Sequence, residues 1–220
     1  MGIYLDSADL TEVIKVEDYP FVEGISCNPK LIAKAMKKDE ISQHSFLDHI
    51  IKLSQAVKGN IFVQTNFYEV SEIIQEARKI QFILEDRAII KLPYTKEGLK
   101  ASRILKGEHI RTCITGLFTP IQSYVCGYMG SSFISPYCNQ ITESGSDGIK
   151  TIAEIMDIYR SYGFNTKILA ASVKSIEEVA ELLKAGAHHI TMPLHLIEDI
   201  MFNQKTNEVI SKFKDCLKIV

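Results

Sequence analysis

The sequence predicts an α/β protein, a single-domain (β/α)8 TIM barrel over residues 1–220 with an extra helix at its C-terminal end. Three observations predict it. Eight short runs rich in Ile, Val, Phe and Thr recur along the chain. Helical patterns fall between them, and no Ser/Gly/Pro-rich linker interrupts the order. The interiors of the runs are largely apolar rather than strictly alternating, as parallel strands buried on both faces are.

In order, the strands are Ile3–Ser7, Val22–Asn28, Ile61–Asn66, Ala88–Pro93, Arg111–Phe118, Ser131–Cys138, Lys167–Val173 and His188–Leu194. Among the helices, Phe46–Val57 sets Phe46, Leu47, Ile50, Ile51, Leu53 and Val57 at helical spacing. Ser71–Leu84 does the same with Ile73, Ile74, Ala77, Ile80 and Ile83. Thr95–Lys106 opens on Thr95 as an N-cap, and Gly148–Tyr162 stops before Gly163, a C-cap residue. Ser175–Ala185 starts with the capping box Ser175 and Glu178 and ends at Gly186. Leu194–Met201 and Asn207–Leu217, the latter within the C-terminal stretch 205–220, complete the chain. The competing architecture is an open doubly wound sheet, which calls for a Gly-rich phosphate loop after an early strand. No such motif occurs.

A chain of 220 residues buries enough apolar surface to stand without disulfides or metal. Its 25 basic and 27 acidic residues form no basic block, so nucleic acid is not an expected partner. No apolar run reaches the length of a membrane span, so no membrane is expected either. The five cysteines (Cys27, Cys113, Cys126, Cys138 and Cys216) are odd in number, widely spaced and free of any C-x-x-C pair. They read as free, mostly buried thiols in a reducing compartment, hence a cytoplasmic location. The chain enters a strand almost at once, so no signal peptide is expected, and Asp6 stands where a myristoylation motif needs Ser or Thr.

Chemistry in such a barrel sits at the C-terminal ends of the strands. Seven strands carry a polar residue there: Asp6, Asn28, Gln64, Lys91, Thr115, Tyr137 and Ser172. Lys91, inside Ala-Ile-Ile-Lys-Leu-Pro, is the sharpest. Burial disfavours an ammonium and favours the neutral amine. A neutral amine condenses with a ketone, and the resulting iminium draws electrons from a neighbouring carbon–carbon bond. The alternative is a strand-end lysine that snorkels or pairs with a carboxylate.

Each of the others also has two readings. Asp6 can pair with Lys91 or move a proton, or it can serve the start of a short helical stretch. Asn28 before Pro29 can fix a substrate hydroxyl or start a turn. Gln64, Thr115 and Tyr137 can hold a water near the reacting carbon, although a buried tyrosine is often satisfied by backbone. Ser172 can receive a phosphate oxygen or cap the next helix. The histidines do not form a ligand set: His188 and His189 point to opposite faces of a strand, His44 and His49 are five apart, and His109 and His195 stand alone. Neither a metal nor a cofactor is expected.

The ordered set Tyr-Leu-Asp-Ser at 4–7, Gly-Ile-Ser-Cys-Asn-Pro at 24–29, Ile-Lys-Leu-Pro at 90–93, Ser-Pro-Tyr-Cys-Asn at 135–139 and Leu-Ala-Ala-Ser-Val-Lys at 169–174 resembles the small transaldolase family, in its fructose-6-phosphate aldolase-like branch. The likeness covers nearly the whole chain. It implies that Lys91 is the Schiff-base lysine and that Asp6, Tyr137, Gln64 and Thr115 serve catalysis. It also implies that Asn28, Ser172, Ser135 and Ser26 bind substrate. Transaldolases of this family usually have Glu at the position of Gln64 and Phe at that of Tyr137, whereas the aldolase branch has Gln and Tyr, as here. A tyrosine hydroxyl beside the enamine can supply the proton that frees dihydroxyacetone; phenylalanine cannot.

One residue departs from the family pattern. An arginine that grips the substrate phosphate normally stands three residues after Tyr137, and here Gln140 replaces it. Ser172, Lys30 and Lys174 remain as possible anion contacts. The resemblance therefore implies a class I aldolase that cleaves C3–C4 of a ketose or ketose phosphate such as fructose 6-phosphate, without a cofactor. The alternatives are a transaldolase of the pentose phosphate pathway and a barrel that binds a sugar without turning it over. The resemblance also implies a homo-oligomer, pentamer or decamer, in which Val209, Ile210, Phe213 and Leu217 face a neighbour.

Overall fold

The computed structural model describes residues 2–38 and 45–217. His44 therefore lies outside the described residues, as do 218–220 and the side chain of Cys216. Eight parallel strands close into a barrel in sequence order. They are β1 (Gly2–Asp6), β2 (Val22–Cys27), β3 (Asn60–Gln64), β4 (Ala88–Pro93), β5 (Thr112–Leu117), β6 (Phe133–Pro136), β7 (Lys167–Ala170) and β8 (His189–Met192). Around them lie α1 (Leu10–Val16), α2 (Pro29–Lys38), α3 (Phe46–Ala56), α4 (Val70–Leu84), α5 (Lys96–Gly107), α6 (Pro120–Met129), α7 (Cys138–Glu143), α8 (Gly148–Tyr162), α9 (Ile176–Lys184), α10 (Leu194–Met201) and α11 (Gln204–Leu217). No helix among the described residues is long and apolar enough to cross a membrane.

The strand period of two divides every strand between two cores. Leu5, Ile25, Val63, Ile90, Ile114, Ile134, Ile168 and Ile190 face outward and pack with the helices. Tyr4, Phe62, Ile89, Cys113 and Leu169, with Phe133 against them, fill the barrel interior. Tyr4 and Phe133 each meet Phe62 edge-on, at centroid distances of 5.0 and 5.1 Å. Both rows are apolar, which is why the strands read as continuous apolar runs. Gly24, with φ of 145°, lets β2 approach β3; a Cβ there would lie 1.9 Å from the Asn60 carbonyl oxygen.

Several predicted strands are shorter in the structure at their C-terminal ends. The residues beyond them turn over the rim and begin helices. Asn28 Oδ1 accepts from the Leu31 N–H at 3.0 Å at the start of α2, where Pro29 is pre-set for a helix. Cys138 already belongs to α7. Helices α2, α6 and α7 are not expected from periodicity. Helix α6 nevertheless carries a full capping box between Thr119 and Gln122 with Pro120 at its start. The expected caps at Thr95 and Gly163 form. Only half of the Ser175 box does: Ser175 Oγ accepts from the Glu178 N–H at 3.2 Å, while Glu178 reaches back to the Lys174 N–H at 2.7 Å.

Helix α11 differs from the rest. Every side chain from Met201 to Lys214 is exposed, including Val209, Ile210 and Phe213.

Candidate active site

Two residues beyond the interior aromatic row, the same strands carry Asp6, Gln64, Lys91, Thr115 and Ser135. Ser26 of β2 joins them, paired in register with Asp6, while Gln64 pairs with Lys91 and Thr115 with Ser135. Strand alternation thus converts a hydrophobic floor into a polar layer within one period, at the C-terminal end of the barrel.

Lys91 is 2% exposed and donates from Nζ to Ser26 Oγ at 3.0 Å. A charge-assisted hydrogen bond of this kind contributes about 1.5–3 kcal/mol, less than the several kcal/mol that burying an ammonium costs. Ser26 alone does not repay that burial. Asp6 acts on Lys91 through space, and so does Lys174 on Asp6. Burial nevertheless dominates at Asp6: it pushes the carboxyl above the usual carboxylate range against the pull of both ammonium groups. The helix-cap reading of Asp6 is displaced, because Asp9 caps α1 with its Oδ1 on the Thr11 N–H at 2.9 Å.

On the opposite side of the layer, Thr115 Oγ1 donates to the Tyr137 hydroxyl at 2.8 Å. The Tyr137 oxygen accepts there, so its own proton is free to point elsewhere. Asn28 both caps α2 and faces the cavity; its carbonyl oxygen is engaged by Leu31, so the amide N–H₂ is the end it offers to a ligand. Ser172 lines the cavity with φ of 63°, a left-handed conformation costing a non-glycine residue about 1–2 kcal/mol. Ser175, not Ser172, caps the next helix.

These groups surround a cavity of about 690 Å³, a volume suited to a small ligand. Of the residues singled out in the sequence, Asp6, Asn28, Lys91, Tyr137 and Ser172 line it. Ser26, Gln64, Thr115 and Ser135 do not line it and stand in the layer around it. Lys30, Lys174 and Gln140 also line it, together with Lys34, Glu12 and His195. Lys34 and Glu12 carry no signal of their own in the sequence, and His195 reads there as isolated. Lys34 follows Lys30 by one turn on α2, so the spacing is the signal once that helix is recognised. The cysteines are not candidates: burial raises the thiols of Cys27, Cys113, Cys126 and Cys138 to about 12.

A closed parallel barrel with a buried lysine in its C-terminal polar layer, bordering a cavity, has the form of a barrel enzyme with its site at the C-terminal face. The chain belongs to the transaldolase/fructose-6-phosphate aldolase family, whose model matches residues 3–219. It is accordingly an enzyme of the aldolase/transaldolase type that works through a Schiff base. Among its relatives is a probable transaldolase of Thermoplasma volcanium, 33% identical over 220 residues, which span 100% of this chain and 96% of that protein. The probable transaldolase of Thermoplasma acidophilum is 32% identical over 220 residues, with the same coverage. That of Kosmotoga olearia is 30% identical over 213 residues, 97% of this chain and 94% of its own.

The raised Asp6 carboxyl has a consequence for stability. The folded chain keeps this proton to a higher pH than the unfolded chain, so stability falls as pH rises from the ordinary carboxylate range through the raised value. Asp6→Asn removes that cost. Thermal melts at pH 7 are expected to give a midpoint equal to or above that of the parent, with the difference gone well below about pH 4, where the Asp6 carboxyl is protonated in both the folded and the unfolded chain. A lower midpoint at pH 7 would show that the attraction of Lys91 and Lys174 outweighs burial.

Proposed function

We propose that the chain is a class I aldolase that cleaves a ketose or ketose phosphate such as fructose 6-phosphate between C3 and C4. The observation that carries this reading is Lys91, 2% exposed yet bordering the cavity beside Asp6 and Tyr137. The Lys91 amine adds to the C2 carbonyl, the carbonyl oxygen takes up protons and leaves as water, and an iminium forms. Asp6, or Tyr137 through a water held with Gln64 and Thr115, takes the C4 hydroxyl proton. The C3–C4 electron pair moves into the iminium, an aldose leaves, and an enamine remains on Lys91. Protonation at C3 and hydrolysis release dihydroxyacetone and restore the amine.

Lys30, Lys34 and Lys174 give the cavity a basic side that supports an anionic group on the substrate. Gln140 supplies no charge where the family arginine would stand, so the contact rests on lysine ammonium groups and Ser172. Capture with borohydride in the presence of fructose 6-phosphate, and separately dihydroxyacetone, is expected to add one covalent adduct to the parent by intact mass and none to Lys91→Ala. An adduct in Lys91→Ala would move the chemistry to another amine.

A second reading, transaldolase, is favoured by the names its relatives carry. Tyr137 distinguishes the two. Tyr137→Phe is expected to lower release of free dihydroxyacetone by about 10²-fold, the range of a lost general acid, while transfer to an added aldehyde is largely retained. Equal loss of both activities would deny Tyr137 that role. A parent that releases an aldose only when an acceptor is present would make transfer its reaction.

The same reading includes a homo-oligomer, supported by the exposed apolar side of α11. Light scattering is expected to give several times the mass of one chain; the mass of one chain would rule it out.

A further inference from the structure

Ser26 touches the amine but not the cavity. It is 0% exposed, lies on β2 between Asp6 of β1 and Phe62 of β3 in register, and is absent from the cavity wall that Lys91, Asp6, Asn28 and Tyr137 share. Its Oγ is 3.0 Å from Lys91 Nζ, although the two residues are 65 apart in sequence and two strands apart in the barrel. A substrate in the cavity meets Lys91 rather than Ser26.

We propose that Ser26 is a positioning residue for Lys91, a tether that keeps the amine aimed into the cavity through every proton state of imine formation. The inference rests on the Lys91 chemistry proposed above. A hydroxyl both donates and accepts. It accepts an N–H from the ammonium, accepts one from the neutral amine so that the lone pair stays free to attack, and accepts the remaining N–H of the protonated imine. A carboxylate at this place would hold the nitrogen charged, and an alkyl group would leave it untethered at the end of four rotatable bonds. Ser26 gives orientation without a net charge. The contact also fixes the direction of the imine N–H, and with it the plane of the imine.

Three probes separate this role from substrate binding and from the sugar reading. Dihydroxyacetone with borohydride reports imine formation on a sugar. A simple 1,3-diketone, 2,4-pentanedione, reports Lys91 reactivity without one, through the absorbance of its enaminone. The polyol phosphate made by reducing fructose 6-phosphate has no carbonyl and reports binding alone. Ser26→Ala is expected to slow capture of both carbonyl probes by about tenfold or more, as a misplaced reacting group does, with polyol phosphate binding within twofold of the parent. Ser26→Thr keeps the hydroxyl and is expected to restore most of the rate. Melting curves confirm that each variant is folded.

Parent-like diketone capture in Ser26→Ala would overturn the proposal. So would polyol binding that weakens in step with the rate, since Ser26 would then be a substrate contact. A parent that captures the diketone but not dihydroxyacetone would refute the sugar reading and leave Ser26 to be judged on the diketone. A parent that captures neither would overturn both.

Discussion

The placement of one lysine inside a closed barrel sets the terms for everything else in the site. Lys91 lies on the inner face of β4 two residues above Ile89, and Ile89 belongs to a dry layer that includes Tyr4, Phe62, Cys113 and Leu169. That layer denies the side chain any route downward to water. The amine can only extend toward the C-terminal rim, where the cavity is. The closed barrel therefore sets the direction of the amine: an open sheet would offer Lys91 an edge and bulk solvent.

The remainder of the polar layer lowers this cost without cancelling it. Burial outweighs the pull of two lysines at Asp6, so the site holds a carboxylate that the fold does not favour. Ser172 stands in a left-handed conformation at the rim, a second local cost in the same place. The outer core offsets both. The side chains of Leu5, Ile25, Ile90, Ile114 and Ile190 are fully buried against the helices, each contributing about 1.5–3 kcal/mol. The local costs at Asp6 and Ser172 fall at one end of the barrel, and packing is distributed around all of it.

That distribution explains what is legible in the sequence. The eight strands are legible because both of their faces are apolar, and Lys91 is legible because it interrupts such a run. The rim polar residues are legible one by one, since the barrel topology says where strand ends converge. Helix α2 is not, because the Asn28-Pro29 pair that opens it is equally a turn signal. The cap of α1 goes to Asp9 rather than to the Asp6–Ser7 region for a reason invisible in one dimension: Asp6 is on the inner face of β1, level with Ser26, and cannot reach the helix. Ser26 is read as a substrate contact only through the family resemblance. Its actual neighbour is on β4, and only closure of the barrel brings the two together.

Ser26 and Thr115 share a feature that bears on how such a site works. Each is a neutral hydroxyl hydrogen-bonded to a group that must exchange protons during the proposed cycle: Ser26 to the Lys91 amine at 3.0 Å, Thr115 to the Tyr137 phenol at 2.8 Å. A charged partner would fix geometry equally well, but it would also bias the proton state, by about 1.4 kcal/mol for every tenfold change in the protonation equilibrium. A hydroxyl carries no net charge, so it fixes geometry without adding a charge beside the group that exchanges the proton. The Asp6 carboxyl interacts with the amine through space, outside the Lys91–Ser26 hydrogen bond. The arrangement separates two tasks that a salt bridge would merge. Orientation is assigned to uncharged side chains in the layer behind the cavity wall, and the electrostatic pull is assigned to a carboxyl group whose own burial limits it.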